Sequence, residues 1–171
     1  TLCGAHLLDT ARPMDRGIAW PGTLAAQRPL CGLSHGASGM ALALSALGAE
    51  TGEPRFLAAA RGAVEYEASL FSSERANWPD FRLDDTPGAP VVETVEYMTA
   101  WCHGAPGIGL ARLAMRGDLG EAAVRADIDA AIATTESQGF GRSHSLCHGD
   151  AGNLEFLAEA SRALGDPALR L

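Results

Sequence analysis

Three features of the sequence predict an all-α fold. The composition is rich in alanine and poor in aromatics, and alanine is the best helix former. Val, Ile and Thr never form alternating runs of useful length, so no strand pattern emerges. A hexapeptide of the form x-His-Gly-x-x-Gly occurs three times, and each copy runs at once into an apolar helical pattern. The chain has 171 residues, 47% apolar and 20% charged, which suits one domain with a real core and excludes a disordered chain.

Before the first hexapeptide the sequence reads as non-repetitive. Thr1 to Asp15 lacks the charged-then-apolar order of a signal peptide, and Arg12 to Leu30 is irregular around Trp20-Pro21-Gly22. The first copy is Ser34-His35-Gly36-Ala37-Ser38-Gly39. Met40, Ala43, Leu44 and Leu47 follow it at i, i+3, i+4, i+7, one face of a helix that closes at Thr51-Gly52. Pro54 then opens a longer helix to Phe71, with Leu57, Ala60, Val64 and Ala68 on one face. Gly just past one helix and Pro just inside the next is the expected asymmetry of helix ends.

The long connection Ser72–Met98 carries Asn77-Trp78-Pro79-Asp80 and a stretch rich in Asp, Gly and Pro from Asp84 to Pro90. Connections of this length are functional or mobile in most folds. Here Trp78 and Asp80 are expected to anchor it. The second copy is Cys102-His103-Gly104-Ala105-Pro106-Gly107. Ile108, Ala111, Arg112 and Met115 line the helix after it, which is expected to close at Gly117-Asp118. An outer helix should then span Leu119 to Thr135. The third copy is Cys147-His148-Gly149-Asp150-Ala151-Gly152, with Leu154, Leu157, Ala158 and Ser161 on the following helix face and a close at Leu164-Gly165. The repeating unit is loop, inner helix, turn, outer helix. Such hairpins bury their faces only by stacking, so about three of them spanning residues 1–171 are expected to be part of a larger ring or array, interrupted at Leu171 within an outer helix begun near Pro167.

Charge excludes some functions. The net charge of −8 and the absence of a basic patch argue against nucleic-acid binding. No uninterrupted apolar stretch reaches the roughly 18 residues of a membrane span, and a cytoplasmic protein is expected. Cys3, Cys31, Cys102 and Cys147 are even in number, which would permit disulfides. Two of them sit in Cys-His-Gly tripeptides, which metal binding in a reducing compartment explains better.

Three His-Gly loops at the same end of neighbouring hairpins should converge. Cys147 and His148 diverge too far to share a metal from mid-helix, but in an irregular turn they can, and Cys102 would add a third ligand. Two thiolates and one imidazole suit Zn²⁺, and three protein ligands leave a fourth position open, as in catalytic zinc sites. The thiolates already cancel the cation's charge. Such a site is better at activating an incoming thiol than at polarising a carbonyl.

Taken together, Gly32-Leu33-Ser34-His35-Gly36, Trp101-Cys102-His103-Gly104-Ala105-Pro106-Gly107 and Ser145-Leu146-Cys147-His148-Gly149-Asp150-Ala151-Gly152-Asn153 resemble the lanthionine synthetase C-like cyclases. The Trp-Cys-His-Gly and Asn-Trp-Pro-Asp versions are similar to the carboxy-terminal cyclase domain of the bifunctional class II lanthipeptide synthetases. The resemblance runs from roughly Trp20 to Leu171. It implies an α/α toroid of nested helical hairpins, present here in part, and a zinc ion on Cys102, Cys147 and His148. It implies that His35 is the acid/base residue and that the reaction adds a peptide Cys thiolate to dehydroalanine or dehydrobutyrine, giving lanthionine or methyllanthionine rings. The implied partners are a precursor peptide and an N-terminal dehydratase domain.

His103 and Trp101 are candidate substrate contacts, although His103 would serve equally to fix its loop and Trp101 to pack. Free-standing members of the family carry Arg four residues before the first zinc Cys and Tyr after it. This chain has Met98 and His103 there. His144 and Cys31 are read as structural. The alternative function is a non-catalytic zinc-bearing helical module that captures a peptide or a thiol such as glutathione. Glycosidases need two facing carboxylates, and Asp150 is the only acid in these loops.

Overall fold

A computed structural model describes residues 1–22, 24, 26, 28–82 and 95–169. The Asp84–Pro90 stretch and Leu171 therefore lie outside the described residues. The elements run α1 (Leu2–Thr10), β1 (Arg12–Pro13), β2 (Ile18–Ala19), α2 (Ala37–Thr51), α3 (Pro54–Leu70), α4 (Ala105–Leu119), α5 (Glu121–Gln138) and α6 (Asp150–Leu164), then a 3₁₀ turn at Pro167–Leu169. The fold is all-α, and each hexapeptide ends in the first turn of an inner helix.

The layering follows the hairpin logic. The inner helices stand in a row, with α2 against α4 and α4 against α6, while α3 backs α2 and α5 backs α4. This nesting buries Leu44, Phe56, Ile108, Met115, Ile128 and Phe156 completely. The expected helix ends hold where backbone chemistry sets them. Gly52 and Gly165 take left-handed φ of 70° and 68° just past α2 and α6, and Pro54 sits in the first turn of α3.

Several details differ from the sequence reading. An additional helix, α1, packs its Gly4 face on Leu47 and Phe56, so a glycine occupies the stripe where a large apolar residue would have been looked for. The irregular Arg12–Leu30 stretch contains a short antiparallel pair, with Arg12 opposite Ala19 and Pro13 opposite Ile18. Helix α4 continues through Gly117 to Leu119, because the turn is made by Gly120, whose φ is 89°. On α2 the buried stripe is Ala41, Leu44, Ser45 and Gly48, and Ala43 faces out. On α6 it is Asn153, Phe156, Leu157 and Ala160, leaving Leu154 44% exposed. The cause on α6 is polar: the Asn153 amide donates to the carbonyls of Thr99 (3.2 Å) and Gly139 (2.5 Å) and so turns that face inward. Beyond Gly165 the described residues show the 3₁₀ turn where an outer helix was expected to begin. No helix among the described residues is long and apolar enough to cross a membrane.

Candidate metal centre

Each hexapeptide forms a turn in which its last glycine allows the main chain to fold back on itself. A Cβ on Gly39, Gly107 or Gly152 would collide with the carbonyl oxygen six residues earlier, that of Leu33, Trp101 or Leu146. Gly104 also has a φ of 82°, which disfavours any L side chain. The three turns are then joined by main-chain hydrogen bonds. The Ser34 N–H donates to Cys102 O (3.2 Å), and the Cys102 N–H donates to Cys147 O (3.0 Å). Equivalent positions of successive repeats thus lie side by side. The side chain before each motif packs on the next repeat: a Cβ on Gly107 would lie 3.0 Å from Leu33 Cβ, and one on Gly152 would lie 2.8 Å from Trp101 Cβ.

Each turn has its own tether. The first is held by Glu67 of α3, whose Oε1 accepts from the N–H groups of Gly32 (2.8 Å) and Ser38 (2.9 Å). The second is held by Asn77, buried in the long connection. Its Oδ1 accepts from the N–H groups of Trp78 (2.8 Å) and Ala105 (2.9 Å), and its Nδ2 donates to Met98 O (3.2 Å) and Thr99 Oγ1 (3.1 Å). The third is closed by the Asp150 N–H on Ser143 O (2.7 Å), while Ser145 Oγ accepts from the His148 N–H (3.3 Å).

This stacking brings Cys102, Cys147 and His148 together, with one ligand atom from each inside 4.8 Å of the others. Two sulfurs bound to one zinc at about 2.3 Å lie no more than about 4.6 Å apart, so the group is compact enough for a single ion after a shift of a few tenths of an ångström. Cys102 is buried, whereas Cys147 and His148 are exposed, so the site is open on one side. Burial, then the hydrogen bond and charge of Cys147, push the Cys102 thiol up to about 11. A buried thiol kept protonated beside a second sulfur is the arrangement a divalent cation relieves. On its donor set the site fits zinc.

Around it lie the remaining candidates. His35 is exposed and stacks on His103, with ring centroids 5.6 Å apart and planes inclined by 25°. His103 is buried and its ring bonds the Cys31 backbone, leaving Nε2 without a hydrogen-bond partner among the described residues. Burial depresses its pKa to about 4, against the pull of Asp80, so the ring is neutral at pH 7. Trp101 is half-buried against α6. Cys31 is buried and its thiol is pushed up by burial and by Glu67. The His144 side chain is fully exposed, with Nδ1 4.0 Å from Asp150 Oδ2. All four cysteines are free.

Two residues of the long connection reach the site, and only one of them had drawn notice in the sequence. Arg82 is paired with Asp80 (Nη2 to Oδ2, 2.5 Å) and lies 3.9 Å from the Met98 sulfur, so a guanidinium stands beside the position four residues before Cys102. Burial raises the Asp80 pKa, but the Arg82 hydrogen bonds outweigh it and hold the carboxyl below its usual value. The signal for Asp80 was its place in Asn-Trp-Pro-Asp. Arg82 carried none.

None of the curated proteins compared matches the chain. Among solved structures, the chain is similar to one titled "Nisin cyclase", with 26% identity and a TM-score of 0.59, over 80% of this chain and 35% of that one. The chain thus spans about a third of the length of that protein. Residues 4–171 match the family described as Lanthionine synthetase C-like protein, and with that match covering nearly the whole sequence, the chain belongs to this family.

Proposed function

We propose that this chain forms the zinc-binding centre of a lanthipeptide cyclase, in which peptide cysteines add to dehydroalanine or dehydrobutyrine to give thioether rings. The observation that carries the reading is the convergence of Cys102, Cys147 and His148 from two stacked turns, open on one side. Family membership and the similarity to a nisin cyclase support it.

Zinc held by these three residues would supply a lowered pKa for an incoming substrate thiol. The chain's own residues do the rest. The open side formed by Cys147 and His148 admits the peptide. His35 reaches the same region from the first turn, and the neutral, buried His103 beneath it supports its ring. When the substrate sulfur bonds to the alkene Cβ, electron density moves to Cα and the carbonyl. His35 takes up the proton that the thiol gives up and delivers it to Cα, so the addition neither gains nor loses a proton overall. The precursor peptide as partner, a dehydratase domain elsewhere in the protein and a cytoplasmic location belong to this proposal. Trp101 is the proposed substrate contact, and His103, proposed in the same role from its sequence position, acts from beneath His35 because its ring is buried.

The test is a pair of variants of the full-length protein given a dehydrated precursor peptide. Cys147→Ala is expected to lose zinc and ring formation together. His35→Asn is expected to keep its zinc and to slow cyclisation by about 10²- to 10⁴-fold, the usual worth of a general acid. Unchanged turnover in His35→Asn would remove the acid/base assignment. A wild-type protein that binds the peptide with its zinc in place yet closes no ring would favour the capture module.

A further inference from the structure

The first turn differs from the other two in how it is held. The second is tethered by a neutral amide, and the third by hydroxyl and main-chain contacts and by the partly exposed Asp150 carboxylate, which accepts from the Gly141 N–H (3.1 Å). The first, which carries His35, is gripped by an ionised network inside the core. Glu67 and Arg112 are both fully buried, and Arg112 Nη2 donates to Glu67 Oε2 at 2.9 Å. Arg112 Nε also donates to Asp127 Oδ2 (2.8 Å) and Nη1 to Ser38 Oγ (3.2 Å), while the Ser38 hydroxyl donates to Glu67 Oε2. Burial opposes the charge on Arg112, but Glu67 and Asp127 more than offset it and keep it a cation.

The geometry of this carboxylate is specific. Its Oε1 takes N–H groups from Gly32 and Ser38, three residues on either side of His35. Ser38 lies in the first turn of α2, whose N-cap residue Gly36 has no side chain to offer, so Glu67 supplies the acceptor at the positive end of the helix dipole. Its Oε2 binds Arg112 on α4, the helix that begins in the second turn. One side chain therefore closes the His35 turn at both ends and links it to the helix that opens beneath His103 and Cys102.

We propose that Glu67 is a positioning residue for His35: through Gly32, Ser38 and Arg112 it sets where the imidazole stands over His103, and it influences turnover only by way of that ring. This rests on the reading of His35 as the proton donor. Misplacing a reacting group by about 1 Å can lower a rate by about 10²-fold, so a turn released at one end is expected to show in kcat.

The experiment is a double-mutant cycle in the full-length protein, following ring formation on a dehydrated peptide together with zinc content. Glu67→Gln removes the charge on one partner of a buried pair. Ser38→Ala is the milder second variant, which deletes only the hydroxyl bridging Glu67 and Arg112 and leaves the ion pair. Both are expected to keep zinc stoichiometry and KM. Expected falls in kcat are about 10- to 100-fold for Glu67→Gln and about 3- to 10-fold for Ser38→Ala. In a His35→Asn background neither is expected to lower kcat by more than about twofold, because there is no ring left to position. Losses that multiply with that of His35→Asn would show a general structural role and overturn the inference while leaving the proton donor intact. A His35→Asn protein as fast as wild type would overturn both.

Discussion

Replacing Asn77 with alanine should damage the metal centre from a distance, by loosening the turn that carries Cys102. The Asn77 side chain is fully buried and makes four hydrogen bonds, to Met98 O, Thr99 Oγ1, Trp78 N and Ala105 N. Met98 and Ala105 bracket the turn, so both of its ends are released at once. At about 1 kcal/mol net for each bond, the loss is about 4 kcal/mol, and the Ala105 N–H is left buried and unpaired. Against a total stability of about 5–15 kcal/mol this is a large fraction. With a urea slope of about 2 kcal/mol/M, the midpoint should fall by about 2 M. The assay is urea unfolding of the metal-free full-length protein, paired with zinc competition against a chromophoric chelator. A midpoint within about 0.3 M of wild type, with unchanged zinc affinity, would refute the claim that this amide organises the Cys102 turn.

Two further outcomes follow from the same turns. Gly152→Ala would drive a methyl group into Leu146 O and against Trp101 Cβ, so it should displace the Cys147–His148 turn and weaken zinc binding while leaving helix content by circular dichroism nearly unchanged; retained zinc affinity would count against the stacked-turn geometry. The Cys102 thiol sits at about 11 without metal and must lose its proton to bind, so zinc affinity should rise by about tenfold per pH unit for that proton alone between pH 6.5 and 8.5. The sign is fixed, because raising pH toward the thiol's pKa lowers the free energy of the ligating thiolate. An affinity that is flat over this range in chelator competition would mean the thiol does not ligate.

What the sequence made legible was whatever recurs or has a strong local cause. The hexapeptides announced the turns, since His-Gly-x-x-Gly needs both glycines for the main chain to double back. Gly52, Gly165 and Pro54 marked helix ends because left-handed φ and a missing N–H are local requirements. Arg112 was placed on the inner face of α4 by periodicity alone, although a charge there looks out of place. Its partners were not legible, because Glu67 and Asp127 lie on other helices and pairing across hairpins leaves no spacing rule. Asn77 and Asn153 were missed as tethers for the same reason. A buried amide reads in sequence as a loop or surface residue until the carbonyls around it are known. Helix α1 escaped because its contact face begins with Gly4, whose role is to let Leu47 and Phe56 approach.

The amide-to-carbonyl links from Ser34 to Cys102 to Cys147 also separate location from chemistry. Every residue except proline owns the groups that make these links, so the alignment of the three columns survives almost any exchange of side chain. One column can then present a hydroxyl where its neighbours present sulfur, and the scaffold beneath needs no redesign. A centre assembled this way can gain or lose a donor by one substitution, with its coordinates already assigned by the peptide groups.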